Sequence, residues 1–140
     1  MPSRRSIALL LVAASAVADP ARSWVVIVNP SSPESRVSRK FLGEVFLRRA
    51  TVWSNDTPIH PVDLEPDSPV RGHFSQEILA RSVAAVRSYW QQRIFSGQGL
   101  PPPELAGDDL VVAYVASHPG AIGYVASGTR LDGVRALTVE

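Results

Sequence analysis

The chain has 140 residues, 14 basic and 13 acidic, and no cysteine. A formal charge of +1 is no electrostatic footprint for nucleic acid, and the lack of cysteine rules out disulfide staples and an acylated amino-terminal cysteine. A chain of this length has room for one domain with a proper hydrophobic core and not for two lobes of ordinary size.

The first 18 residues read as a cleavable export signal. Arg4 and Arg5 form a positive start, Ile7 to Ala14 an apolar stretch too short to span a bilayer, and Ala16-Val17-Ala18 a small-residue cleavage box. Cleavage is expected after Ala18, which sends residues 19–140 to the periplasm or outside the cell as a single domain. Losing Arg4 and Arg5 leaves 12 basic residues against 13 acidic, a formal charge of about −1. No second stretch approaches the ~18 apolar residues of a membrane span.

Trp24-Val25-Val26-Ile27-Val28 is a continuous, largely β-branched run ended by Asn29-Pro30, and it predicts a strand buried on both faces. Ser38 then stands before Phe41, Leu42, Val45 and Phe46 at helical spacing, backed by Arg39, Lys40, Arg48 and Arg49; a basic face of this kind is usually the solvated side. Ile59, Val62 and Leu64 predict a short extended segment that Pro61 restricts to an edge or an irregular strand. Asp67-Ser68-Pro69 gives the clearest helix start in the chain, a serine cap followed by a proline at the first helical position, with Val70, Phe74 and Ile78 on one face. Ser82 caps a further helix through Val86, Trp90 and Ile94, which Ser96-Gly97 ends.

After Pro101-Pro102-Pro103, a stiff extended turn, Asp108 and Asp109 open a helix that His118-Pro119-Gly120 stops. Ala121 to Val125 and Val134 to Val139 read as strands. Strands separated by helices predict an α/β layer with helices over a mixed or parallel sheet.

Four stretches, in this order, resemble the phosphate-type periplasmic substrate-binding proteins of ABC transporters, in particular their second lobe. They are VVIVNP (25–30); SRKFLGEVFLRRATVW (38–53), similar to a helix ending in IF-x-G with a following W; DSPVRGHF (67–74), in the place of D-G-S-G-T-x-x-F; and HPGAIGYV (118–125), close to P-G-A-I-G-Y. The resemblance covers about 100 residues. It implies an α/β fold of a single periplasmic-binding-protein-like lobe, a mixed sheet flanked by helices, and phosphate or a related oxyanion as ligand, with an ABC permease or an envelope protein as partner.

The third stretch has its own chemistry. A helix amino end presents unpaired N–H groups and a partial positive charge, so Ser68 and Arg71, with the Val70 backbone, form a candidate anion site. The plainer alternative is that Ser68 only caps its helix and Arg71 is solvated. Two donors of the family's cradle are missing here, since Pro69 has no N–H and Val70 no hydroxyl. Asp63, Leu64 and Glu65 stand where the family has an arginine, and Glu65 with Asp67 repels an anion unless both point away. Asn29 and Ser31, at the carboxyl end of a strand, are further candidates for the mouth of the site, against an ordinary Asn-Pro turn.

His60, His73 and His118 have no helical metal-site spacing, so no metal or other cofactor is expected. Ser68 and His73 lie five apart with no nucleophile elbow, and no enzyme is expected. Trp53, Tyr89 and Trp90 sit at or beside apolar-periodic positions as packing residues. Two functions are open: a small exported oxyanion-binding protein, or a protein-interaction module that keeps the lobe and has lost the cleft.

Overall fold

The computed structural model describes residues 22–140; the expected signal segment and its cleavage point lie outside the described residues. The apolar run becomes strand β1 (Trp24–Val28), third in a five-stranded sheet. Its neighbours are β6 (Ala121–Ala126) and β7 (Arg135–Val139), both antiparallel to it. The two-residue strands β2 (Arg36–Val37) and β3 (His60–Pro61) form the margins, each parallel to its neighbour, giving the order β2-β7-β1-β6-β3. The sheet is therefore mixed. Pro61 is tolerated because β3 pairs on one side only.

The segment 59–64 bends after β3 into a second small sheet. There β4 (Asp63–Leu64) pairs in parallel with β5 (Glu104–Leu105), directly after the proline run. Two residues per strand carry no periodic pattern, so this pair is invisible to sequence reasoning.

Among the described residues four α-helices flank the sheets. In α1 (Arg39–Phe46), Ser38 Oγ accepts a hydrogen bond from Phe41 N at 3.0 Å, and Leu42, Val45 and Phe46 are buried. Next, α2 (Pro69–Phe74) runs straight into a wider π turn over Ser75–Leu79, which the spacing of Val70, Phe74 and Ile78 does not anticipate. Ala80, in the left-handed conformation at φ 54°, ends that turn, and Ser75 Oγ donates to Arg81 O at 2.6 Å. Ser82 then caps α3 (Val83–Phe95). Finally, α4 (Asp108–Ser117) packs on β6. Among the described residues no helix is long and apolar enough to cross a membrane.

The core is aromatic at its centre. Phe74 of α2 stacks flat on Tyr124 of β6, with centroids 3.8 Å apart, while Trp24 and Phe46 meet Phe74 edge-on at 5.2 and 5.0 Å. The two edge contacts suit the charge distribution of the rings. Trp53, in the loop after α1, is buried and donates its indole N–H to Gly120 O at 3.1 Å, so the second and fourth family-like stretches meet here. Gly120 has φ 86°, and a Cβ there would stand 2.4 Å from Pro58 O. Gly123 makes room of another kind: its Cβ would lie 2.8 Å from Val111, so α4 rests on β6 only because the strand is bare at that point.

Candidate functional site

At the amino end of α2 the serine cap forms as expected. Ser68 is extended (φ −69°, ψ 126°), its Oγ accepts from Arg71 N at 3.3 Å, and Pro69 occupies the first turn. Val70 N–H stands in the first turn, where no carbonyl of the helix itself is in reach.

Arg71 is not solvated but held by groups of its own chain. Its side chain is buried, and Nη1 donates to Leu64 O at 2.9 Å and to Glu104 Oε2 at 2.5 Å. Nε lies 3.5 Å from Asp63 Oδ1. Asp63 is itself buried and accepts from Leu64 N at 3.0 Å and from the Tyr124 hydroxyl. One cation and two carboxylates thus clasp α2 to β4, β5 and β6. The solvated arginine of the plainer alternative does not describe this geometry. The reason is physical: Asp63 sits among apolar neighbours, and a buried carboxylate requires a partner.

The same burial sets the protonation of the cluster. Desolvation raises the Asp63 pKa above its usual value, a rise that Arg71, Tyr124 and the Leu64 amide reduce without cancelling. Burial alone would lower the pKa of Arg71, but Asp63 and Glu104 more than reverse this, and the guanidinium stays charged. Desolvation also raises the Tyr124 pKa, so the phenol remains a donor.

Arg71 lines a cleft of about 590 Å³ together with Asp63, Glu104, Arg87, Trp90 and the proline run; Ser68, Asn29 and Ser31 do not line it. Asn29 is buried at the end of β1, where its Nδ2 donates to Val115 O at 2.9 Å and Ala116 O at 3.2 Å, satisfying carbonyls at the carboxyl end of α4. Its Oδ1 accepts from Ser31 N at 2.9 Å, and the Ser31 side chain is exposed. Asn29 and Ser31 therefore build the turn that follows β1, and Asn29 ties that turn to the carboxyl end of α4. The five expected residues form two separate groups, one at that turn and one at α2.

Tyr124 and Glu104 were missed from sequence, Tyr124 because it fits a buried strand and Glu104 because its strand has no pattern. One signal was present: Asp63 lies between Val62 and Leu64, and an acidic residue inside an apolar run implies a buried counter-charge. Among the described residues no three metal-ligating side chains come together. His73 instead meets Ser23 Oγ at 3.0 Å, and His118 stacks on Tyr114 with centroids 3.9 Å apart.

A mixed sheet of this order, flanked by helices, with a helix opening beside the irregular strand pair, makes an α/β fold that is found again in solved periplasmic binding proteins. Three solved structures show the likeness. The ABC-type phosphate transport receptor of Vibrio cholerae superposes with a TM-score of 0.67 at 17% identity, over 84% of this chain and 46% of the other. A putative phosphate ABC transporter substrate-binding protein with bound phosphate, from Clostridium perfringens, gives 0.65 at 21% identity over 84% and 44%. PstS from Borrelia burgdorferi gives 0.60 at 12% identity over 84% and 47%. At such identities the likeness is one of fold, and this chain spans less than half the length of each of these three. No protein-family model and no curated protein sequence matches the chain.

Proposed function

We propose that this chain is an exported, phosphate-type solute-binding lobe that takes a small oxyanion at the amino end of α2 and serves an ABC-type uptake or sensing system. The observation that carries this reading is the likeness of its fold, over 84% of the chain, to proteins named as phosphate receptors and binders. On this reading the donors are Val70 N–H and the Ser68 hydroxyl, Arg71 contributes a fixed positive charge behind them, and Asn29 and Ser31 remain structural. Affinity is weak, because two donors oppose a hydrated anion and Asp67 stands beside them.

The experiment is thermal unfolding of the protein with and without millimolar phosphate. A ligand bound only by the folded state stabilises it by about 2.7 kcal/mol at 100 times its dissociation constant. The expected result is a midpoint that rises with phosphate and no longer rises in Ser68→Ala. An unmoved midpoint at high phosphate refutes the reading.

A second reading, a protein-interaction module of the cell envelope, draws its support from one observation: the Arg71 guanidinium already carries two carboxylates of its own chain. It is the reading that survives a flat phosphate response. Capture of a specific envelope protein at native expression, lost when the interacting surface is altered, is its test.

A further inference from the structure

The α3 helix and the loop after it carry a surface that the lobe itself does not use. Phe95, the last residue of α3, is 95% exposed, Leu100 on the following loop 68%, and Ile94 48%. Large apolar groups are seldom left so open, and these three are close together. From Arg81 to Pro103 the sequence has three arginines and no acidic residue. Arg81 lines a shallow depression with Phe95, and Arg87 lines the cleft on the other flank of α3 with Ile94 and Leu100. Arg49, Arg81 and Arg93 all stand over the Tyr89 ring, their guanidinium carbons 5.6, 5.0 and 5.2 Å from its centre. Glu44 meets Arg49 at 3.5 Å, and the charge that remains on Arg81 and Arg93 makes a positive field that an external anion relieves.

We propose that this surface docks on an anionic phospholipid bilayer, with Phe95 and Leu100 entering the headgroup layer and the arginines meeting lipid phosphates. Charge complementarity selects the anionic partner. The form of the surface selects a fluid one: a ring 95% exposed at a helix end protrudes rather than sits in a groove, and a headgroup layer surrounds such a tip on every side. Docking of this kind is peripheral and needs no membrane span.

The test uses the full chain and vesicles of phosphatidylcholine alone or mixed with phosphatidylglycerol. Sedimentation should recover the protein with the anionic vesicles, less so with added salt. Arg87→Gln should lower the partition coefficient about fivefold, and Phe95→Ser should lower it further. Both side chains are exposed, so neither variant threatens the fold. In Phe95→Trp the introduced indole should shift its emission to the blue on anionic vesicles, against a constant background from Trp24, Trp53 and Trp90, which are already buried. Equal binding to both vesicle types, binding unchanged in Arg87→Gln and Phe95→Ser, or an unmoved emission in Phe95→Trp overturns the proposal, as does binding to neither.

Discussion

Asp63 determines how the centre of this molecule is charged. A carboxylate between Val62 and Leu64 would be untenable alone, and Arg71, Tyr124 and the Leu64 amide are the groups that hold it. Its native pKa is nevertheless raised, so the folded state keeps a proton that the unfolded chain releases near the ordinary value of 3.8. The stabilisation from that proton is complete below the unfolded value and lost as the pH rises through the native one. Urea unfolding across the acid range should therefore show the stability of the native chain, relative to Asp63→Asn, declining as pH rises through that window. A difference independent of pH would refute the assignment. Arg71 was legible as a basic residue near a cap, but not its direction, because direction depends on Glu104, more than thirty residues away in sequence.

At the level of elements, capping chemistry explains both what could be read and what could not. Ser38, Ser68 and Ser82 each precede a helix, and each accepts from the backbone N–H three residues on. These starts were legible because the interaction is local. The role of Asn29 was not, since it closes the far end of α4, 86 residues later, through Val115 O. Asn29→Ala should accordingly cost about 1–3 kcal/mol in chemical denaturation by leaving those carbonyls unpaired. Ser68→Ala should cost about 1 kcal/mol, as ordinary caps do. If Asn29→Ala proves neutral, the link between β1 and α4 carries no weight. The β4–β5 pair and the π turn escaped for a shared reason: each depends on long-range packing and neither has a repeat of its own.

For the whole molecule, the order of motifs was the legible part, and the structure shows why order mattered: Trp53 reaches Gly120, and Phe74 lies on Tyr124, so distant stretches are complementary parts of one core. Phe74→Ala removes the shared ring of that cluster and should destabilise the protein by about 3–5 kcal/mol, measured as a loss in urea midpoint with unchanged slope. A much smaller loss would mean that the neighbouring rings collapse into the gap. The margins of the sheet have a different bearing. Both outer strands are two residues long, and one of them includes Pro61, so neither flank offers backbone rungs to which a foreign strand could zip. A partner that meets either flank must therefore grip it through side chains, giving a joint that changes in ionic strength or a point substitution can undo while the domain remains folded.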